Sequence, residues 1–209
     1  FGDWVRLLRE NGITVDLPYW PRAAVITAGS IGNSLLRMCE ERMYGAEYRQ
    51  VEIEPPLFIL GFGRSGTTYL HQLLAIDQRF AYPNFYQVRY PHTFLSAEVV
   101  FSRLAPLFLP QKRVQDNVRV SWQTPGEDEI ALCALSLCST LMEGVFMGRR
   151  AHYGRYRTFQ QASQHEIAVW KEALKMFLKK LTWKYRRPMI LKSPQHTCRI
   201  KLLLEMFPT

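Results

Sequence analysis

The chain has 209 residues, which is enough for one α/β domain with a buried core. Its apolar fraction of 47% and charged fraction of 22% are those of an ordinary globular protein, which excludes disordered, collagen-like and coiled-coil classes. No run reaches the roughly 18 apolar residues that a membrane span needs. The net charge of +9 favours anionic partners, but the basic residues are scattered and carry no nucleic-acid motif, so we expect no nucleic-acid partner.

The four cysteines form no C-x-x-C pair and lie at no zinc-finger spacing from histidine, so we predict no bound metal. This usage suits a reducing compartment, and the first residues lack the charged and apolar regions of a signal peptide. We therefore predict a cytoplasmic protein. Because the chain begins at Phe1 without a methionine, a leader or anchor ahead of it stays an open alternative.

The first predicted elements are helices over 2–10 and 22–44, the second ending at Gly45. We treat residues 1–54 as a helical N-terminal extension within a single domain, 1–209. Pro55-Pro56 then breaks the chain, and the apolar run 57–60 is typical of a strand covered on both faces. A glycine-rich loop follows at once, and a helix is predicted over 66–76.

The next segment, 80–95, is rich in aromatic residues and prolines, which indicates a packed loop. The later predicted elements are a helix over 96–105, a buried helix from a Thr124–Glu127 capping box to Gly144, an amphipathic helix from a Ser163–Glu166 capping box to Trp183, a strand over 189–191 and a final helix from Ser193-Pro194. Two strands, each followed by a helix, predict a parallel sheet. The fold class is therefore α/β: a P-loop-like three-layer fold with a short parallel sheet and a large helical insertion.

The loop has the glycine spacing of a Walker A motif, with Gly61 and Gly66 followed by two threonines. Successive backbone N–H groups at a helix N-terminus would bind an anion there. The Walker lysine is absent, because Thr67 occupies its position and the nearest cation is Arg64. That lysine bridges the terminal phosphates of a triphosphate. The loop therefore suits a shorter anionic group, such as a 5′-phosphate that carries one further group.

Residues 56–70, PLFILGFGRSGTTYL, resemble the 5′-phosphosulfate-binding loop of sulfotransferases that use 3′-phosphoadenosine 5′-phosphosulfate. The similarity is to the broad branch that shares features with tyrosylprotein sulfotransferases. ILKSPQH at 190–196 and LLLEMFP at 202–208 resemble the lysine-containing strand end and following helix of that branch, and TPGEDEI at 124–130 resembles its acidic segment. The three motifs occur in the family's order.

The resemblance implies a role for six positions. It assigns the donor's 5′-phosphosulfate to Arg64 and to the four residues that follow, Ser65, Gly66, Thr67 and Thr68. Lys192 matches the lysine expected near the bridging oxygen, where a cation stabilises leaving-group charge. Its predicted place at the carboxyl end of a parallel strand is also the ligand-binding edge of such sheets. The implied co-substrate is 3′-phosphoadenosine 5′-phosphosulfate, and the reaction needs no metal.

The base that takes the acceptor's proton stays open. Related enzymes often carry a glutamate after the loop, but this chain has Gln87 in the corresponding aromatic context, and an amide cannot act as a base. His92 is one candidate, although a histidine among aromatics is more often packed than catalytic. Glu127 is the other, although its predicted place in a capping box is a sufficient structural reason for it.

We therefore predict an enzyme that moves a sulfuryl group to the hydroxyl or amine of a small-molecule or glycan acceptor. A P-loop nucleotide kinase or triphosphatase is disfavoured by Thr67, and a non-catalytic module that binds an anion or a protein is kept open by Gln87. In the family a strand ending in arginine, followed by a serine, binds the 3′-phosphate. Neither element occurs before Thr209, so we expect an incomplete domain. The sequence leaves the acceptor's identity and the oligomeric state open.

Overall fold

A computed structural model describes the chain over residues 1–12, 15–104 and 121–208, without the side chains of 102–104. Its two strands are β1, Leu57–Ile59, and β2, Ile190–Lys192. Its α-helices in chain order are α1 Gly2–Asn11, α2 Trp20–Arg49, α3 Thr67–Leu74, α4 Phe85–Arg89, α5 Phe94–Leu104, α6 Asp128–Ser136, α7 Met142–Val145, α8 Arg150–Gly154, α9 Gln164–Tyr185 and α10 Ile200–Met206. Short 3₁₀ turns cover Leu17–Tyr19, Met147–Arg149, Arg155–Arg157 and Pro194–Cys198.

The two strands pair in parallel, with Leu57 opposite Ile190 and Ile59 opposite Lys192, as predicted. Ala81 bridges to the other edge of β2, so β2 is central and fully buried. β1 differs from the prediction, because Leu57 at its start is 42% exposed. Within the described residues β1 has one strand neighbour, which leaves its other edge uncovered by the sheet. The prediction that the run 57–60 forms a strand covered on both faces is therefore wrong for β1.

The core lies where α9 packs against α6 and the sheet. Its largest buried side chains include Trp170, Phe177 and Leu181 of α9 and Leu132 of α6. α9 begins with the predicted capping box, in which the Ser163 hydroxyl accepts from the backbone of Glu166 while the Glu166 carboxylate accepts from the backbone of Ser163. α9 thus supplies many of the buried side chains of the core. The α/β class is confirmed.

Three predicted boundaries are wrong. α2 continues through Gly45, which is buried, because packing of α2 against α9 outweighs the weak helix propensity of one glycine. The predicted 80–95 loop contains α4, which begins with a capping box between Asn84 and Gln87. The final helix starts at Ile200, after a 3₁₀ turn that Pro194 opens.

α6 also differs from the prediction at both ends. It starts at Asp128 with Glu127 at the N-cap, so no Thr124–Glu127 capping box forms, and the Thr124 hydroxyl instead accepts from the backbone of Ser121. It stops at Ser136, well before Gly144, because the following residue, Leu137, adopts a left-handed φ of 60°. Glu127 therefore has no capping role for its side chain, which leaves its carboxylate available to the site described next.

Candidate anion-binding and catalytic site

The glycine-rich loop connects β1 to α3 through two positions that only glycine fits well. Gly66 has a left-handed φ of 84° at the N-cap of α3. A Cβ at Gly61 would lie 2.6 Å from Cγ2 of Thr67, and the Gly61 N–H donates to the Thr197 hydroxyl at 2.8 Å. The loop is thus held against the turn that follows β2.

The loop presents donors to solvent at the start of α3. Residues 62–66 are exposed, and the first N–H groups of a helix lack partners within it. The helix dipole adds a partial positive charge at the same point. Arg64, itself at a φ of 67°, contributes a full positive charge within this exposed loop. The arrangement fits a phosphate or phosphosulfate group, with space for it in front of Gly63 and Gly66, where an added Cβ would meet nothing within 4 Å.

Three of the sequence-predicted residues lie together beside this loop. Lys192, at the carboxyl end of β2, is only 2% exposed, and its Nζ is 2.5 Å from Oε1 of Glu127 and 3.3 Å from Oγ1 of Thr68. Thr68 is in the first turn of α3, so the ammonium is adjacent to the anion-binding helix terminus. The Glu127 side chain stays 28% exposed and can be reached from solvent.

His92 is not brought to this cluster. It lines a cavity of about 410 Å³ against α1 and α2, together with Asp3, Trp4 and Arg37. Burial, together with the nearby charges of Arg37 and Lys180, lowers the pKa of His92 to about 4. An imidazole that takes up a proton only near pH 4 is a weak proton acceptor. Both the position of His92 and its pKa therefore disfavour it as the base.

Gln87 has a structural role that the sequence did not indicate. The side chain is fully buried, with Oε1 accepting from the Asn84 backbone N–H and Nε2 donating to Glu98 and to the Tyr185 hydroxyl. All its polar atoms are therefore used in a buried network at the start of α4. The network needs one side chain that both accepts and donates hydrogen bonds, which explains why an amide occupies the position.

Each residue of the acidic segment 127–129 pairs with a basic residue at the end of β2 or in the turn that follows it. Glu127 contacts Lys192, and Asp128 lies 2.5 Å from His196. The third pair joins Glu129 to Arg199 through two hydrogen bonds of 2.5 and 2.9 Å. The last two pairs are almost completely buried. Burial by itself would raise the pKa of Asp128, but the His196 contact, a backbone hydrogen bond and the nearby His71 together outweigh burial and lower that pKa.

These three pairs, which we name the acid–base ladder, fix Lys192 relative to the loop. The Ser193 hydroxyl adds a further link, accepting from the Glu129 N–H at 3.0 Å. Sequence reasoning missed the ladder because a helix start alone explains three consecutive acids. The available signal was the order of the basic residues Lys192, His196 and Arg199, which matches the order of the acids. These residues lie about seventy positions further along the chain, beyond any local pattern.

One buried histidine lies under the same site. His71 of α3 is 1% exposed, and its Nε2 has no hydrogen-bond partner among the described residues. Burial lowers its pKa to about 4, and the positive charge of Lys192 acts in the same direction against the opposing effect of Asp128. His71 is therefore neutral at pH 7 and adds no charge to the anion site.

A parallel strand pair, a glycine-rich loop at a helix N-terminus and a strand-end lysine define a P-loop-like α/β protein. The model of the sulfotransferase family matches residues 55–209, and the chain belongs to that family. Within the described ranges, no helix is both long and apolar enough to cross a membrane, and no group of histidine, cysteine or acidic residues could hold a metal ion.

The chain is similar to curated and solved sulfotransferases. It is 35% identical over all 209 residues to the omega-hydroxy-beta-dihydromenaquinone-9 sulfotransferases Stf3 of Mycobacterium bovis and Mycobacterium tuberculosis. It covers 54% of those relatives, so the chain spans about half their length. The crystal structure of sulfotransferase STF1 from Mycobacterium tuberculosis superposes with a TM-score of 0.56 at 20% identity, over 83% of this chain and 48% of that one. This likeness confirms the P-loop-like fold.

Proposed function

We propose that this protein transfers a sulfuryl group from 3′-phosphoadenosine 5′-phosphosulfate to the hydroxyl of an apolar small molecule. The observation that carries the proposal is the buried ammonium of Lys192 between the Thr68 hydroxyl and the Glu127 carboxylate, beside the anion-binding loop. The donor supplies an activated sulfuryl group, so this chemistry requires no metal. Family membership supports this reading over the kinase and triphosphatase alternatives.

We assign the donor's 5′-phosphosulfate to Arg64 and to the loop and first turn of α3, Ser65, Gly66, Thr67 and Thr68. Exposed N–H groups at this helix terminus and the guanidinium favour the anion. Lys192 then stabilises the charge that develops on the bridging oxygen as its bond to sulfur breaks. The electron pair of that bond stays with the departing 3′-phosphoadenosine 5′-phosphate.

Glu127 is the base in this proposal. Its carboxylate is partly exposed and paired with Lys192, and it has no side-chain capping bond to α6. When the anionic donor engages Lys192, the carboxylate is released to accept the acceptor's O–H proton as the oxygen forms its bond to sulfur. The exchange of ion-pair partners would couple donor binding to activation of the acceptor.

The relatives' name states that they act on omega-hydroxy-beta-dihydromenaquinone-9, and we propose that the acceptor here is also a hydroxylated menaquinone-like lipid. The four cysteines are free thiols, which supports a cytoplasmic location as part of the same proposal. The chain spans about half of the relatives' length. The acceptor contacts and the 3′-phosphate site of the whole protein therefore have to be tested on the full-length protein.

Isothermal calorimetry of the full-length protein with 3′-phosphoadenosine 5′-phosphate tests the donor assignment. Arg64→Ala should weaken binding at least about tenfold, because it removes a charge-assisted contact to the anion. Arg79→Ala is the matched control, since Arg79 is exposed and paired with Asp77 outside the loop. Equal binding by all three proteins would remove the loop from the donor site, and tighter binding of magnesium ATP would restore the kinase reading.

A further inference from the structure

An apolar cavity of about 520 Å³ lies between α2, α4 and α5. Aromatic side chains form much of its wall, with Tyr86 and Tyr90 on one side, Phe101 on α5, and Trp122. Polar contributions are few, and none of the described residues that line it carries a charge. This volume and composition are those of a small-molecule pocket whose ligand is mainly apolar.

The cavity is connected to the reaction site by a short, well-anchored segment. Trp122 lies in its wall, and Glu127 is five residues further along the chain. Backbone hydrogen bonds hold the intervening residues against 83–86: Phe85 N–H to the Thr124 carbonyl at 2.9 Å, and Gly126 N–H to the Pro83 carbonyl at 2.8 Å. Five extended residues span at most about 18 Å. Trp122 in the cavity wall therefore lies within about 18 Å of Glu127, a distance that an elongated acceptor molecule can span.

One polar group in the wall lacks a partner. The indole Nε1 of Trp122 is buried and has no acceptor among the described residues, although its ring packs against Phe85, Tyr86 and Tyr90. A buried tryptophan N–H usually finds a hydrogen-bond acceptor. The missing acceptor, together with the lining, points to a ligand that is largely hydrocarbon and carries an occasional oxygen.

We propose that this cavity holds the apolar chain of a lipid alcohol acceptor, with the hydroxyl end directed along the 122–127 segment towards Glu127. The inference rests on the proposed sulfuryl transfer and adds the site that selects the acceptor. The adenine end of the donor is the less suitable occupant, because the adjoining 3′-phosphate would need a cation and the cavity wall offers none.

Gly32 of α2 provides a clean way to fill the cavity. It lines the cavity, and an added Cβ would meet no atom within 4 Å, so Gly32→Phe introduces a ring without displacing backbone. The substitution also replaces a poor helix former inside α2, which favours folding. Gly144→Phe is the matched control, because Gly144 is an exposed helical glycine with the same open space and lies outside the cavity wall.

The experiment compares kcat/KM of the full-length protein for geraniol, farnesol and geranylgeraniol, which have two, three and four isoprene units. Each buried methylene contributes about fourfold, so the wild type and Gly144→Phe should gain at least about tenfold per unit. In Gly32→Phe the gain should fall below about threefold per unit, with the geraniol value little changed. Trp122→Phe should lower the binding of oxygen-bearing chains and preserve the dependence on length.

Binding of a dansyl-labelled farnesyl probe separates this inference from the proposed function. Probe binding that Gly32→Phe abolishes, in a protein that transfers no sulfuryl group, would support the cavity and contradict the transfer. Transfer without chain-length dependence, or with the same dependence in Gly32→Phe, would overturn the inference. Displacement of the probe by 3′-phosphoadenosine 5′-phosphate would also overturn the inference. So would a Gly32→Phe variant that changes its oligomeric state but keeps the wild-type dependence on chain length.

Discussion

Lys192 is held at one point beside the loop, because its ammonium contacts both the Glu127 carboxylate and the Thr68 hydroxyl. Lys192→Met keeps most of the side-chain length and removes the charge. If the charge acts on the leaving oxygen, it is needed mainly in the transition state. We expect kcat to fall by about 10²–10³-fold, while the calorimetric affinity for 3′-phosphoadenosine 5′-phosphate falls much less.

Lys184→Met is the control for this variant. Lys184, like Lys192, is paired with a glutamate, Glu98, but its side chain is 27% exposed and it lies on α9, away from the glycine-rich loop. Its removal should leave turnover close to that of the wild type. Parallel losses of turnover and donor affinity in Lys192→Met would mean that the lysine only binds the donor or only supports the fold.

Gln87→Glu tests whether the position is structural. The new carboxylate would be buried beside the carboxylate of Glu98, which the Gln87 amide now contacts at 2.9 Å. We expect urea unfolding to show a loss of about 2–4 kcal/mol at pH 7, because a donor is replaced by a second buried negative charge. The loss relative to wild type should shrink as the pH falls and the carboxylate is protonated. The control is Gln160→Glu, at an exposed position, which should change stability little. A gain in turnover by Gln87→Glu would contradict the structural role and indicate that a carboxylate at position 87 can act as the base.

At the residue scale, the sequence predicts features that depend on neighbouring residues and misses contacts between residues that are far apart along the chain. The loop conformation follows from the spacing of Gly61 and Gly66, and Lys192 follows from the end of a strand, so both are readable from short motifs. The role of Gln87 depends on Tyr185, which is 98 residues away, and no periodicity encodes such a contact.

At the scale of elements, the acid–base ladder fastens the start of α6 to the turn after β2. Its Glu129–Arg199 pair is buried, and Arg199 also donates to the Tyr156 carbonyl at 2.7 Å. Glu129→Gln would leave the guanidinium buried without a counter-charge, so we expect a loss of about 3–5 kcal/mol in urea unfolding. Removing both charges, in Glu129→Gln/Arg199→Met, should cost less than the sum of the single changes.

Glu172→Gln serves as the comparison, because Glu172 forms an exposed pair with Lys175 at 3.3 Å and should contribute no more than about 1 kcal/mol. Additive losses in the double variant would show that the two buried charges do not stabilise one another. The ladder would then be a coincidence of packing and would have no part in positioning Lys192.

One helix start followed from a local motif, whereas the end of α6 did not. The Ser163–Glu166 box began α9 as expected, since the box is a contiguous side-chain-to-backbone pattern. The end of α6 was not predictable, because Leu137 takes a left-handed conformation that its own residue type does not favour. Tertiary packing around α6 decides that conformation, and the sequence nearby contains no glycine or proline to signal it.

At the scale of the whole molecule, two short strands more than 130 residues apart in sequence assemble one site, and the helices between them supply its core. The sequence order of strand, loop, helix and second strand was therefore sufficient to predict the P-loop-like fold. It was not sufficient to predict the exposure of β1 or the apolar cavity, which depend on how α2, α4 and α5 meet. The single-domain boundaries, 1–209 with an extension over 1–54, stay predictions.

Acid should destabilise the folded molecule through its buried histidines. His71 faces Lys192, Asp128 and the ring of Tyr82, and its pKa in the folded state is lowered to about 4 from an ordinary value of 6.5. The unfolded chain then binds the proton that the folded chain refuses, so stability is fully present above pH 6.5 and is lost as the pH falls towards 4. Each such histidine contributes about 3 kcal/mol across this window when fully buried.

Urea unfolding of wild type and His71→Gln between pH 7 and pH 4 measures this contribution. Because the substitution also changes packing at a buried position, the informative quantity is the slope of stability against pH rather than the stability at pH 7. This slope should become shallower by one titrating group. His92, whose pKa is also lowered to about 4, should account for much of the slope that remains. Asp128 does not account for this pH dependence, because its pKa is lowered in the folded protein and its effect on stability is therefore confined to more acidic solution. The exposed His165 provides the control. An unchanged slope in both His71→Gln and His165→Gln would show that His71 binds its proton equally well in the folded and unfolded states, which would contradict the prediction.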